Sequence, residues 1–363
     1  MIPSLLANDF KMLKFRYITL LALALTVACS KSEGEAPVLP DEPQEELITF
    51  GDVSTAGGRA DLVESGEGAL FRSQPFSVYG DWIPSSAEGS RAEVFHDQLV
   101  TYTRGGVSPS GWNYSPKQSW RHGGDYDFRA YWPATAKTMG TASARNLALE
   151  YSVLLDDFDL MVAYTHCPSG NNGRPVELRF RHTLAAVAVK FRTQNAGLTY
   201  RVKNFFFTSL NYIGALGYYD TDQSIDLTER WFFSEGARGT VNTQNILLSQ
   251  RLREWSDSAG RVLTTSADDY PEEFALFPPQ SLIVGGATPK PSITFTVDVD
   301  WDTADTVTTT VQLPTTDSSG NEMVWRAGKK YIYVITVEAD RVDIEVKTCE
   351  WDRVDGVTGD IYM

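Results

Sequence analysis

Leu147-Ala148-Leu149-Glu150-Tyr151-Ser152-Val153-Leu154-Leu155 places an apolar residue at every second position, at 147, 149, 151, 153 and 155. Successive side chains of an extended chain point to opposite faces, whereas a helix returns to the same face about every 3.6 residues, so this stretch reads as a strand with one side in a core. The same period recurs outward from it, in Leu160, Val162 and Tyr164, and in Val176, Leu178 and Phe180. Further on come Leu198, Tyr200 and Val202, then Ile293, Phe295, Val297, Val299 and Trp301. The last is Val342, Ile344 and Val346, with Asp343, Glu345 and Lys347 on the opposite face. Leu184 to Phe191 and Tyr331 to Val337 are apolar on both faces, which predicts strands central in their sheets. No long amphipathic helix stands out. The fold class is therefore all-β, and strands with one wet face point to antiparallel sandwiches.

A turn-rich break, Pro168-Ser169-Gly170-Asn171-Asn172-Gly173, divides the strands into similar halves. It predicts an N-terminal β-sandwich domain over 47–172 and a C-terminal one over 173–363. With 363 residues, 42% hydrophobic and 12% aromatic, the chain has enough apolar material for two such cores. A formal charge of −15 argues against nucleic acid or an anionic membrane surface as partner.

The beginning of the chain reads differently. Lys14 and Arg16 precede an apolar run from Tyr17 to Ala28, too short for a relaxed bilayer crossing, and Leu25-Thr26-Val27-Ala28-Cys29 resembles a lipobox. Residues 1–28 are thus expected to be a lipoprotein signal peptide, with Cys29 as the lipidation site and Met12 as a candidate start. Residues 29–46 follow as an acidic tether punctuated by Pro37, Pro40 and Pro43. The acidic residues just after Cys29 resemble the signal that sends lipoproteins to the outside of the outer membrane, so the expected location is the outer membrane, surface-exposed and held by lipid on Cys29.

Catalytic chemistry is hard to find. His96, His122, His166 and His182 are scattered and form no zinc-binding helix pair, and no G-x-S-x-G elbow presents a serine. Cys167 and Cys349 lie far apart and read as small core residues before they read as a disulfide. The run Asp220, Asp222, Ser224, Asp226 and Glu229 has alternating oxygen ligands but lacks the glycine of a calcium loop, so it reads as a solvated loop. No enzyme, metal or cofactor is expected. Aromatic residues crowd the first half, and Trp82, Trp112 and Trp132 are candidate glycan contacts if they face solvent.

Taken in order, several segments resemble the fimbrillin family of Bacteroidetes, whose members build or cap type V pili. They are Ile48-Thr49-Phe50, Phe76 to Gly80, Trp112-Asn113-Tyr114-Ser115-Pro116, Trp120 and Tyr126-Asp127-Phe128-Arg129-Ala130-Tyr131-Trp132-Pro133. Phe180-Arg181-His182-Thr183-Leu184, Phe277-Pro278-Pro279-Gln280, Gly328-Lys329-Lys330-Tyr331-Ile332-Tyr333 and Trp351 continue the series. The resemblance implies two tandem transthyretin-like sandwich domains and a structural or adhesive role in a fimbria. It also implies a mechanism: an arginine-specific protease removes the first strand, here Leu47 to Val53, and another subunit fills the groove by donor-strand insertion. Arg59 is the first candidate cleavage point and Arg72 the second. The tail after Trp351 has no clean strand alternation and is a weak donor; Val342 to Thr348 alternates well and could donate if it swings out, but serves equally as a core strand. The partners implied are other fimbrial subunits and a host or bacterial glycan or protein receptor. The alternative reading is a surface glycan-binding lipoprotein of a sugar-uptake system.

Overall fold

The computed structural model describes residues 46–55, 72–86, 90–104, 111–140, 142–143, 146–156, 158–218, 226–234, 236–242, 259–267, 274–283, 290–299, 305–317, 319–350 and 361–362. Nine strands occupy the first half of these residues: β1 (Phe50–Thr55), β2 (Phe76–Pro84), β3 (Ala92–Thr103), β4 (Gly111–Asn113), β5 (Gly124–Trp132), β6 (Lys137–Thr138), β7 (Leu147–Ser152), β8 (Met161–Cys167) and β9 (Val176–His182). The second half begins with β10 (Ala185–Arg192), β11 (Tyr200–Asn211), β12 (Ile213–Tyr218), β13 (Trp231–Phe232), β14 (Arg238–Asn242), β15 (Arg261–Val262) and β16 (Phe274–Phe277). It ends with β17 (Gln280–Ser281), β18 (Ser292–Val299), β19 (Asp305–Gln312), β20 (Val324–Trp325), β21 (Lys329–Val337), β22 (Val342–Glu350) and β23 (Ile361–Tyr362). Two 3-10 turns, Ser169–Asn171 and Leu227–Arg230, are the only other regular elements of more than two residues among the described residues. The all-β class read from the apolar period holds.

Seven strands close a barrel in the order β1-β4-β3-β2-β5-β8-β9. Strand directions can alternate around a closed ring only if the number of strands is even, so seven force at least one parallel junction. That junction is β1 with β9. A second parallel pair, β10 with β21, runs in register from Ala186↔Lys330 to Arg192↔Thr336. The purely antiparallel arrangement expected from the sequence fails at these two pairs. Strand β9 follows the turn-rich break at 168–173 yet completes the barrel, so the barrel extends to His182.

Alternate residues of the barrel strands fill its interior: Phe76 and Val78 of β2, Phe95 of β3, Phe128, Ala130 and Trp132 of β5, and Leu178 and Phe180 of β9. Aromatic rings dominate it, with Phe76 5.0 Å from Trp112 and Phe95 5.2 Å from Tyr114 between centroids. The intervening residues Tyr79, Tyr131, Val162 and Tyr164 face the other way and join a second core that includes Leu149 and Tyr151 of β7 and Leu216 of β12. A four-stranded sheet, β13-β12-β7-β6, contributes to this core. Its larger part lies between the sheets β16-β10-β21-β22-β23 and β14-β11-β18-β19, which meet through Phe191–Phe205, Phe191–Phe295 and Phe207–Phe277 ring contacts at 5.9, 5.0 and 5.2 Å. Strand β10 sits between β16 and β21, and β21 between β10 and β22, which accounts for the apolar character of both segments on both faces. Both cores lie within one contact-linked unit, Glu45–Met363.

Several ties secure this packing. Gly328, at φ +70, turns the chain into β21 and donates its N–H to the Leu184 carbonyl. Tyr331 and Tyr333, two apart and so on one face, both reach β20: Tyr331 Oη donates to the Val324 carbonyl at 2.7 Å, and Tyr333 Oη accepts from Trp325 Nε1 at 2.8 Å. At the Pro-Gln turn, Gln280 Oε1 accepts from the Asn211 N–H at 2.7 Å while Nε2 donates to the Asn211 carbonyl at 3.0 Å.

Candidate functional site

The site lies where β1 enters the barrel. Ahead of β1, Ile48 donates its N–H to the Gln118 carbonyl and Trp120 donates to the Glu46 carbonyl, both at 2.8 Å. The Thr49 carbonyl accepts from the Val176 N–H at 2.7 Å, and the Ile48 carbonyl accepts from Tyr114 Oη at 2.7 Å. Within β1, Phe50 pairs with Trp112 of β4, and Phe50, Val53, Ser54 and Thr55 pair with Val176, Leu178, Arg179 and Phe180 of β9. The register slips between Phe50 and Val53. Gly51 is required at the slip, because a Cβ there would come within 2.8 Å of the Pro175 Cβ.

The apolar part of the site is short and deep. Ile48 is 0% exposed and Phe50 6%. The Phe50 ring touches four others, with centroids 5.8 Å from Phe76, 5.9 Å from Phe95, 5.7 Å from Tyr114 and 6.2 Å from Phe128. Burying two such side chains contributes on the order of 3–6 kcal/mol. Strand β1 and its lead-in thus lie between β4 and β9, held by the anchors Ile48 and Phe50 and a short ladder. Without them, the facing edges of β4 and β9 would present unmatched N–H and C=O groups beside an aromatic interior.

Of the sequence-derived site residues, Cys29 and Arg59 lie outside the described residues. Arg72 stands just ahead of β2, half-buried, with its guanidinium 4.8 Å from the Tyr102 ring centre. The three tryptophans do not form a platform. Trp112 and Trp132 are 8% and 3% exposed in the barrel core, and Trp82 is half-buried beside Gly124. A sugar ring stacks on an exposed aromatic face, and Trp112 and Trp132 present none. Cys167 and Cys349 are not joined by a disulfide, and burial raises the Cys167 thiol to about 11. Asp226 caps the turn at Leu227–Arg230 by accepting from the Thr228 N–H and pairs with Arg326 at 2.9 Å, while 220–225 fall outside the described residues. Among the described residues no group of three or more His, Cys, Asp or Glu side chains converges as a metal site would.

Sequence reasoning missed a buried polar cluster on the outer side of β5. Asp127 and Arg129 alternate with the inward aromatics, the pattern of a wet face, yet both are buried. Asp127 Oδ1 accepts from Tyr164 Oη and contacts His166 Nδ1, each at 2.8 Å, and Oδ2 accepts from Arg91 Nη1 at 3.2 Å. Arg129 lies 5.0 Å from the Tyr164 ring centre. Burial would raise the Asp127 carboxyl, but the bonds from His166 and Tyr164 and the charges of His166 and Arg129 outweigh it and hold it below the usual carboxylate value. Both oxygens of the carboxylate are thus engaged by neighbouring side chains.

Comparison with known proteins bears on this geometry. A family model described as fimbrillin-like matches residues 68–351, a span that starts after β1. No curated protein matches. Among solved structures, the chain is similar to a fimbrial protein from Bacteroides vulgatus, at 16% identity and a TM-score of 0.53, covering 84% of this chain and 99% of that one. It is also similar to a protein assigned to cell adhesion from Bacteroides uniformis, at 15% identity and a TM-score of 0.49, covering 85% and 100%. The tip fimbrial protein Mfa3 from Porphyromonas gingivalis matches at 12% identity and a TM-score of 0.36, covering 77% and 96%.

Proposed function

We propose, from the premise that this chain belongs to the fimbrillin-like family, that it is a fimbrial subunit whose first strand is an exchangeable insert. Membership makes it a structural component of a cell-surface fimbrium, associated with other subunits of that fimbrium. The finer reading concerns how that association is made. One observation carries it: β1 and the residues just ahead of it are held in the barrel by two buried anchors, Ile48 and Phe50, by the lead-in hydrogen bonds and by five residue pairs of β1, with a register slip in the middle. A cut in the chain between β1 and β2, at Arg59 or Arg72, would turn β1 into a separate, weakly retained peptide. Its loss leaves a slot that an extended strand of another subunit can fill with the same two rewards, ladder hydrogen bonds and apolar burial.

This chain is better suited to accept a strand than to donate one. Strand β22, which holds the alternating residues Val342 to Thr348, pairs with β21 at nine successive positions and lies between β21 and β23. Releasing it would break that nine-position pairing and detach β23 as well. The reading includes a temporary hold at the outer membrane through lipid on Cys29, with release when the chain is cut.

Limited digestion with an arginine-specific protease tests the proposal. A strand-exchanging subunit is cut once early, loses the fragment carrying β1, and then associates with further copies or captures an added peptide bearing an alternating apolar strand. A chain that keeps β1 after the cut, or loses it and captures nothing, overturns the reading. The mass and N-terminal sequence of the protein isolated from cells report the same step, with an N-terminus at Ala60 or Ser73 marking a processed subunit and one at lipidated Cys29 an unprocessed one.

A further inference from the structure

Among the described residues the open sheets end in strands β16, β23, β14, β15, β13, β6, β17 and β20, of two to five residues each, and in β19, of eight. Short edge strands protect against unwanted pairing, and charged or proline residues do the same for longer ones. Strand β19, Asp305-Thr306-Val307-Thr308-Thr309-Thr310-Val311-Gln312, has neither safeguard beyond Asp305 at its first position. The β22 strand of the opposing sheet shows the contrast, with Asp343, Glu345 and Lys347 along one face. Strand β19 pairs with β18 over all eight residues on one side. No described strand pairs with its other side.

The sequence of β19 is also self-complementary. Val307-Thr308-Thr309-Thr310-Val311 reads the same in both directions about Thr309. An antiparallel pairing centred on Thr309 places Val307 opposite Val311 of the partner subunit and Thr308 opposite Thr310 of the partner subunit. That is the isologous geometry a two-fold dimer requires, and it puts no like charges opposite each other. Val307, Thr309 and Val311 share the face of their β18 partners Val297, Phe295 and Ile293, which are buried, yet Val307 is 53% exposed at the rim of that core. A second strand alongside would extend the rim and cover Val307.

We infer that β19 is an interface for a second copy of this chain, pairing edge to edge about a two-fold axis at Thr309 and joining the two β14-β11-β18-β19 sheets into one continuous sheet. The surface is independent of β1, so it remains available whether or not the first strand is exchanged. A contact along one strand edge is small beside a standard interface, so the pairing is weak and is best read by trapping.

The full chain carrying Thr309→Cys, with the native cysteines kept, is oxidised mildly beside a Thr306→Cys chain and the parent. Paired Cα atoms across an antiparallel ladder lie about 4.5–5.5 Å apart, within disulfide reach, whereas residue 306 would stand opposite residue 312 and be about six positions out of register with its own copy. The expected result is at least tenfold more covalent dimer from Thr309→Cys than from either control, lost when Val307→Lys is added. Equal trapping at 306 and 309, no trapping at 309 in a chain with parental circular dichroism, or trapping unaffected by Val307→Lys would each overturn the inference. Sedimentation of the parent should show a dimer fraction that rises with concentration, and a strict monomer up to about millimolar protein would overturn it as well.

Discussion

Tyr114 shows how much a single polar atom can decide about the exchangeable strand. Its hydroxyl donates to the Ile48 carbonyl and accepts from the Gln118 N–H at 3.2 Å, so it ties the lead-in of β1 to the loop before β5. Tyr114→Phe keeps the ring contact with Phe50 and removes only these bonds, a loss of about 1 kcal/mol. The expected outcome is roughly fivefold faster hydrogen exchange at the β1 amides, with core amides of β10 unchanged, because local opening draws only on local contacts. Equal acceleration in both places would mean that the barrel opens as a unit and β1 is not separable. Gln280 gives a second residue-scale test. Its amide takes both backbone groups of Asn211, so Gln280→Ala leaves buried polar groups without partners and should cost about 1–3 kcal/mol in urea unfolding. Gln280→Glu should fall close to it, since a carboxylate cannot donate to the Asn211 carbonyl. The Pro-Gln turn was legible in the sequence as a family resemblance, but its reason was not, because Asn211 lies 69 residues away.

Among the elements, β1 is the one whose retention governs the proposed assembly. Phe50→Ala removes the anchor that meets four rings and should destabilise the barrel by about 3–5 kcal/mol. In a chain already cut before β2, it should release the N-terminal fragment faster by orders of magnitude in gel filtration, while Phe232→Ala, at an exposed position, should leave retention unchanged. An equal effect of the two changes would place the hold on β1 outside its apolar anchor. The strands themselves were largely legible. Alternation located β7, β8, β9, β11, β18 and β22, and two-faced apolar runs located β10 and β21 at the middle of their sheet. Pairing direction was not legible, because the parallel junctions β1–β9 and β10–β21 depend on strand count and on partners more than a hundred residues apart.

At the scale of the whole molecule, local patterns fail where one layer covers another. Asp127 and Arg129 have the alternation of a solvent face, and only the arrival of the second core around Tyr131 and Tyr164 turns that face into an interior. The cluster lies against the outer side of the barrel, so its protonation bears on how the two cores hold together. The Asp127 carboxyl is depressed in the folded protein, hence the unfolded chain binds the proton more readily in acid. The stabilisation is fully present above the unfolded carboxylate value of about 3.9 and is lost as pH falls through the lower folded value. The urea midpoint should therefore stay flat from pH 7 to about 5 as far as this group is concerned and decline below about 4. Asp226, Asp298 and Asp317 are also depressed, but they sit nearer the surface, where about 1 M salt screens their contributions. Asp127→Asn should lower the midpoint at neutral pH and flatten the acid limb, whereas Asp127→Ala, which removes the acceptor of the Tyr164 hydroxyl and the contacts to His166 and Arg91, should lower it further. If Asp127→Asn lowered stability equally at pH 7 and pH 3, the carboxylate would be a packing element only, and the coupling of the two cores to its charge would be refuted.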